Sequence, residues 1–456
     1  MSVTLVIQRS ISSKTLLMAS IRVLPFEILC HIFSYVVRGL GHKLSHGDFV
    51  RLGHVCSQWR AVILSTPKLW SQFILFIRDE IPDSKLQSLL FYVNNSGNSP
   101  FLLDVTFREP VSSTKTLQKL HEYVPKVHTL KIDGICQTPM EDFPQFPMSW
   151  LSSVENLVLW SGAGVFFLDP SINPRILLNG FTHLRKLELK LFGYTRDIQL
   201  PWEQITSLKL QYCAIDVCMF LLVRCPNLVE FHALYCIWPG KPYIHRPSSH
   251  AHKLEHLSWG FFELRVSSFL SKRLRYPSLR TFEWHSPDLI LRREEDEPIA
   301  LRSIVPTFPP SISQLRLSET QEWSDELMEF IFVELKGLKI IRFDECRTPL
   351  VIQFLSLLNR MSDWEGCYIL PLLAEVVIEY PPREDDRARI EEELAPHMVP
   401  LFHLRDPHKT RQFSLHLVRY GCIVSEGLHE AYVSLKKDGY AFKISYYDSQ
   451  RVKVPY

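Results

Sequence analysis

The sequence predicts an α/β chain in which a short N-terminal helical block precedes a long array of stacked strand-and-helix units. Two observations carry that expectation. Between Leu24 and Ile63 apolar residues recur at three- and four-residue steps, the period of an amphipathic helix. From Trp70 onward they recur instead as apolar, two variable, apolar, one variable, apolar. These units lie roughly 20 to 35 residues apart, the range in which one supersecondary unit is stacked on the next.

The helical block opens with Leu24-Pro25-Phe26-Glu27-Ile28-Leu29, runs on through Ile32, Phe33 and Val36, and breaks at Gly39 and Gly41. Proline at the opening position costs no hydrogen bond, and glycine past the end stops the helix. Asp48 can cap a second helix whose apolar residues are Phe49, Leu52, Val55, Cys56, Trp59, Val62 and Ile63. Thr66-Pro67 ends it, and Leu69-Trp70 returns to an apolar surface. A unit of fewer than about 60 residues buries too little surface to stand comfortably alone. Its leftover apolar face therefore needs a neighbour or a partner.

The repeating pattern begins at Trp70-x-x-Phe73-x-Leu75 and returns as Leu102-x-x-Val105-x-Phe107, Val127-x-x-Leu130-x-Ile132, Val154-x-x-Leu157-x-Leu159 and Leu184-x-x-Leu187-x-Leu189. It continues at Ile205/Leu208/Leu210, Leu228/Phe231/Ala233, Leu254/Leu257/Trp259, Leu279/Phe282/Trp284, Ile312/Leu315/Leu317, Leu338/Ile341/Phe343 and Leu373/Val376/Ile378. Alternation at the last apolar pair marks a strand, whereas Val217 to Leu222 and Asp325 to Leu335 read as helices. Pro239 to Pro247 and Pro287 to Pro310, which holds Glu294-Glu295-Asp296-Glu297, read as loops. Past Ile378 the pattern loosens into a charged helix from Arg383 to Leu394. A strand at Phe413, Leu415 and Leu417, a helix from Leu428 to Leu435 ended by Gly439, and a strand at Phe442, Ile444 and Tyr446 then close the open end.

If the repeat residues point inward, the side chains between them line the other strand face. That face carries Lys131, Lys186, Glu188, Lys209, Glu230, His232, His256, Ser258, Glu283, Arg316 and Arg342. Its mixed charge suits a protein partner read by local complementarity. Globally, 51 Lys+Arg stand against 49 Asp+Glu, so no basic field marks a nucleic-acid backbone or an anionic membrane as partner. No run approaches the ~20 apolar residues of a membrane span. The 10 cysteines contain no Cys-x-x-Cys pair and suit a reducing compartment, the cytoplasm or nucleus. Residues 1–22, with Arg9, Lys14 and Arg22 and no acidic residue, are expected to be a flexible arm.

Motifs for chemistry are missing from the sequence: there is no Gly-x-Ser-x-Gly elbow, phosphate-binding Gly-x-x-x-x-Gly-Lys loop or His-Glu-x-x-His. Gly162-Ala163-Gly164 reads as a turn. His245, His250, His252 and His256 lie close together, but without a cysteine or carboxylate at ligand spacing they read as ordinary loop histidines. No catalytic residue, metal or cofactor is expected. Trp259 and Trp284 fall on buried repeat positions, and Trp160 follows one.

The blocks Leu24-Pro25-x-Glu27-Ile28-Leu29-x-x-Ile32-Phe33, Val55-Cys56-x-x-Trp59-Arg60 and Ser65-Thr66-Pro67-x-Leu69-Trp70 together resemble the F-box, the helical motif that docks on the Skp adaptor of cullin-RING ubiquitin ligases. The array resembles leucine-rich repeats, in which an asparagine or cysteine three residues after the last strand leucine turns inward. Cys213, Cys236 and Cys346 stand at that position; Ile135, Gly162, Phe192, Phe262, Pro287, Thr320 and Pro381 occupy it elsewhere, so the resemblance is to an irregular array. Ser65 to Trp70 with Leu89-Leu90-x-x-Val93-x-Asn95-Ser96-Gly97-x-Ser99-Pro100 looks similar to large fungal, basidiomycete-type F-box families.

These resemblances imply an arm at 1–22, an F-box at 23–70 and, at 71–456, a leucine-rich-repeat-like solenoid with a terminal cap, its parallel strands on the concave face and its helices and loops outside. They further imply a non-catalytic substrate receptor that reaches a cullin through a Skp-type adaptor and holds a protein target on its repeats. Leu24, Pro25, Ile28, Leu29, Ile32, Val55, Cys56 and Trp59 are the candidate adaptor-binding residues, some of which must serve the module's own core. The alternatives are a repeat scaffold with no part in ubiquitin transfer, and an enzyme whose catalytic groups meet only in space.

Overall fold

The computed structural model describes residues 24–39, 51–78, 80–108, 113–134, 146–161, 176–193, 198–236, 249–250, 253–260, 274–286, 296–320, 323–359, 370–379, 387–405, 413–420, 425–447 and 453–454. Contacts divide the chain into two compact units. The first comprises Met1–Ile132 with Gln145–Val154, the second Asp133–Pro144 with Glu155–Tyr456. Among the described residues no helix is long and apolar enough to cross a membrane.

The first unit opens with helix α1 (Phe26–Gly39). The expected second helix is broken: residues 51–53 form a separate helical turn, and α2 spans only Ser57–Leu64. The cause is Cys56, whose backbone is extended at φ −159° and whose Sγ accepts the Trp59 N–H at 3.4 Å. A thiol thus caps this helix; Asp48, the expected cap, lies outside the described residues. A short 3-10 turn at Pro67–Leu69 leads into β1 (Gln72–Ile77), α3 (Asp83–Ser96), β2 (Leu102–Phe107), α4 (Ser113–Tyr123), β3 (Thr129–Asp133) and α5 (Met148–Leu151).

β1 and β2 are parallel, with Phe73 opposite Leu103 and Leu75 opposite Val105. The sequence reading placed Val105 and Phe107 there, two residues too far along. Phe101, Leu102 and Leu103 are all apolar, so two frames of the same face fit the pattern; Phe101 and Leu103 are the buried ones.

The second unit contains β4 (Asn156–Trp160), β5 (Ile176–Leu177), β6 (Lys186–Gly193), β7 (Ile198–Gln199), β8 (Ser207–Cys213), β9 (Glu230–Leu234), β10 (Ser249–His250) and β11 (His256–Gly260). It goes on with β12 (Leu274–Arg275), β13 (Thr281–His285), β14 (Gln314–Ser318), β15 (Ile340–Asp344), β16 (Glu375–Glu379), β17 (Ser414–Tyr420), β18 (Ala441–Tyr447) and β19 (Lys453–Val454). β5 pairs with β7 and β10 with β12 as short ribbons, and the others form a long sheet in chain order.

Its parallel register matches the sequence pattern. Leu157, Leu187, Leu208, Phe231, Leu257, Phe282, Leu315, Ile341 and Val376 form one buried row across the strands. Leu159, Leu189, Leu210, Ala233, Trp259, Trp284, Leu317, Phe343 and Ile378 form the next. Both rows run on into Leu415 and Leu417 of β17 and Phe442 and Ile444 of β18, still parallel. At the far end β18 also makes two antiparallel pairs with β19, Tyr446 with Val454 and Tyr447 with Lys453.

The bends after these strands share a device. Tyr212, Tyr235, Glu319 and Glu345, each two residues beyond the second row, adopt left-handed backbone at φ 55°, 53°, 52° and 52°. Such a conformation costs a non-glycine residue roughly 1–2 kcal/mol. It turns the following Cys213, Cys236, Thr320 or Cys346 into the core, where all are buried. The Cys346 thiol donates to the Leu317 carbonyl at 3.1 Å, and the Thr320 hydroxyl to the Ser318 carbonyl at 3.3 Å. Cys218 of the helix Ile215–Arg224 meets Cys236 at 3.8 Å, sulfur to sulfur.

Two further departures have plain causes. Within Pro287–Pro310, expected to be a loop, Asp296–Ile304 is helical: Pro298 falls in the first turn, where proline is tolerated, and Ala300, Leu301 and Ile304 are buried. The charged helix runs Arg387–Arg405, through Pro396 and Pro400. Burial of Leu394, Met398, Leu401 and Phe402 outweighs the two lost N–H donors. Pro239–Pro247 lies outside the described residues.

Leu257→Ala, in the middle of the buried row, is expected to cost about 2–5 kcal/mol in urea unfolding, while Lys186→Ala on the opposite, exposed face changes stability by less than about 0.5 kcal/mol. Equal losses would mean that the two strand faces are assigned the wrong way round.

Candidate functional site

In the first unit, α1 and α2 sort the predicted docking residues by depth. Leu29 and Phe33 are buried, each 1% exposed, whereas Ile28 and Ile32, one helical turn apart, keep 44% and 40% of their surface open. Phe26, Val55 and Leu64 are likewise exposed, and so is Pro25. Leu24 is half-buried, and its carbonyl accepts from Gln58 Nε2 at 3.4 Å. Trp59 is half-buried edge-on against Phe33 at 4.9 Å, and its Nε1 has no partner among the described residues. Leu29 thus belongs to the module's own core, and Cys56 serves as a helix cap.

The rest of the module fixes that surface. Trp70 Nε1 donates to the Ile63 carbonyl at 2.7 Å, and its ring meets those of Phe91 and Tyr92 edge-on at 5.2 and 4.9 Å. Burial pushes the Tyr92 hydroxyl up to about 12. The Thr66 hydroxyl donates to the Val62 carbonyl at 2.6 Å and lies 3.2 Å from the Cys30 thiol. Leu69 and Trp70, expected at an apolar surface, are therefore buried anchors.

In the second unit, the face opposite the apolar rows carries Glu188, Lys209, His232, Ser258, Glu283, Arg316 and Arg342 side by side across successive strands. Lys186 and Glu230 are exposed; Glu188, Lys209, His232, Arg316 and Arg342 are half-buried. Lys131, also half-buried, belongs to the first unit. Glu283 and Ser258, expected on an open face, are 3% and 0% exposed. Long side chains surround Glu283: His256 and Arg316 reach it from the two adjacent strands at 3.6 and 3.2 Å, and His285, two residues along its own strand, at 2.9 Å.

The charges here are matched strand to strand. Glu188 lies 3.1 Å from Lys190 and 3.6 Å from Lys209. Arg316 bridges Glu283 to Asp344, and Arg342 joins Asp344 at 2.6 Å and Glu379 at 2.8 Å. Burial works to raise the Glu283 carboxyl, but His256, His285 and Arg316 hold it well below its usual range. Burial, then the neighbouring charge of His256, pushes His232 down to about 4, against Glu283. Burial works to lower Arg342, yet Asp344 and Glu379 raise it. These arginines are consequently not an unbalanced basic patch for a phosphorylated segment.

His285, Asp344 and Glu379 were missed by the sequence reading. Each stands one residue past the second apolar row, at Trp284, Phe343 and Ile378, so one further step of the alternation finds them. Trp160 holds the same position on β4; it is exposed, with Lys190 over its ring at 5.2 Å. Of the sequence-clustered histidines, His245 and His252 lie outside the described residues, while His256 sits on β11 beside His232, ring centroids 4.9 Å apart.

Arg316→Met strips a charged donor from two buried carboxylates and is expected to cost about 1–3 kcal/mol. Lys443→Met, exposed on β18, should stay within about 0.5 kcal/mol. Indistinguishable urea midpoints would contradict the cross-strand network.

With this geometry established, comparisons with known proteins place the helical block. The chain has 14% identity to a chain from the crystal structure of the Rad7 and Elc1 complex in yeast, covering 83% of this chain and 93% of that one at a TM-score of 0.34. No curated protein matches it. Residues 21–75 match the family model described as F-box-like, so the chain carries an F-box-like domain at its helical N-terminal block, followed by a long sheet of parallel strands.

Proposed function

We propose that this protein is a substrate receptor of a cullin-RING ubiquitin ligase, docking on a Skp-type adaptor through its F-box-like helices and holding a protein target on its repeats. In this reading residues 1–22 are an arm, 23–70 the docking module and 71–456 an irregular leucine-rich-repeat array. One observation carries it: the residues that match the F-box-like family expose Ile28, Ile32, Val55 and Leu64 on a small module whose own core is already filled by Leu29, Phe33, Val62 and Ile63. Exposed apolar side chains that a module's own core does not take up mark a binding surface. Pro25, Ile28, Ile32 and Val55 make the adaptor face, with Leu24 and Trp59 at its edge and Leu29 beneath it.

The leucine-rich-repeat assignment is supported by the in-register apolar rows and by the inward Cys213, Cys236 and Cys346. The mechanism is proximity. A tethered target experiences a raised effective concentration of the transfer machinery, so no residue of this chain takes part in bond making. The protein acts in the cytoplasm or nucleus, with a protein target and neither nucleic acid nor membrane as partner. The target is read by exposed residues such as Lys186 and Glu230, because the network residues spend their charges on one another.

Co-purification of the full chain with a Skp-type adaptor tests the docking. Ile28→Glu combined with Ile32→Glu should weaken binding by at least roughly 100-fold, each side chain counting about 2 kcal/mol as an interface anchor, with an unchanged circular dichroism melt. Leu29→Ala should instead lower the melting temperature. Absence of adaptor binding by the folded wild-type chain would point to a repeat scaffold outside any ligase. Full binding by the double variant would move the adaptor surface elsewhere.

A further inference from the structure

Between β9, β11 and β13 the ligating atoms of His232, His256 and Glu283 lie within 4.8 Å of one another. Around a zinc ion with bonds of about 2.0–2.1 Å, tetrahedral ligand atoms stand about 3.3 Å apart. His256 Nε2 already sits 3.6 Å from Glu283 Oε2, too long for a hydrogen bond and close to that spacing.

The two oxygens of Glu283 have different surroundings. Oε1 takes His285 Nε2 at 2.9 Å, Arg316 Nε at 3.2 Å and the Ser318 hydroxyl at 3.3 Å. Three partners on one oxygen fix the carboxylate and leave Oε2 on the side of His256, 3.6 Å from its Nε2, the kind of outer-sphere support that orients a metal ligand. The imidazole of His232 makes no hydrogen bond among the described residues. A second, independent feature points the same way. Ser258 lies between His232 and Glu283 in the strand register, on the same face. It is fully buried, and its hydroxyl has no partner among the described residues. An unsatisfied buried hydroxyl calls for a further polar group, which water on a bound ion would supply.

We infer that His232, His256 and Glu283 form a site for a divalent transition-metal ion, zinc by the chemistry of its donors, with one coordination position left for water or for a side chain of a bound partner. Two imidazoles and one carboxylate are a borderline donor set, which favours zinc over magnesium or calcium. Arg316 offsets part of the carboxylate charge, so binding is weaker than at a site without a competing cation. The site pins three strands together on the face proposed to meet the target and offers that target a coordination bond.

The test uses the full chain, stripped with a chelator and titrated with cobalt(II), then with zinc. One equivalent of cobalt should give a visible ligand-field spectrum without thiolate charge-transfer bands, and zinc should displace it. His232→Asn, His256→Asn and Glu283→Gln should each weaken binding at least roughly 10-fold, and His285→Ala about 10-fold through the orientation of Glu283. Zinc should raise the melting temperature of the wild type and not that of His232→Asn, whose half-exposed position keeps the fold. Thiolate bands, binding unchanged in the folded variants, or no cobalt spectrum would overturn the assignment.

Discussion

Two rows of apolar side chains, running across the parallel strands in unbroken register, are the constraint on which the second unit depends. No single strand-and-helix element has enough apolar surface to fold alone. Leu257 is buried because Phe231 stands on one side of it and Phe282 on the other. Alternation along each strand then dictates the opposite face, where Lys209, His232, Ser258, Glu283 and Arg316 come side by side without any of them being near another in sequence. The core fixes where these groups stand, and their charges decide what they do.

Position on the sheet alone does not make a residue available. Strands lie about 4.8 Å apart, so long side chains on neighbouring strands reach one another readily. Arg316 and Arg342 do so, linking Glu283, Asp344 and Glu379 into a chain of alternating charge. That chain removes the cations from any simple role as an anion pocket. It also leaves Glu283 beside the imidazoles of His232 and His256, which separates the centre of the face from exposed residues such as Lys186 and Glu230. The first unit shows the complementary arrangement. There the apolar side chains exceed what the small module can cover, and Ile28 and Ile32 remain outside while Leu29 and Phe33 fill the interior.

Most of the strand register was legible in the sequence, because from Leu157 to Ile378 each unit carries its apolar pair at one spacing. The second repeat was misread by two residues because Phe101, Leu102 and Leu103 satisfy two frames. The continuation through β17 and β18 was hidden by the long helix Arg387–Arg405 set between β16 and β17. Nothing local announced that Cys56 would break a helix whose apolar spacing is continuous, since that depends on its extended backbone. The polar face was legible as a set of residues. The burial of Glu283 and Ser258 was not, because it arises from His256, His285 and Arg316 on three strands. The helical block was readable as a docking motif, while the division between its core and its surface required the packing of α1 against α2.

Hydrogen exchange of the full chain, alone and with a Skp-type adaptor, tests the central claim most directly, since it reports both units in one experiment. The account predicts added protection in residues 26–34 and 51–64, with unchanged exchange in β8, β9, β11 and β13. Protection confined to those strands, with none in the helical block, would contradict it.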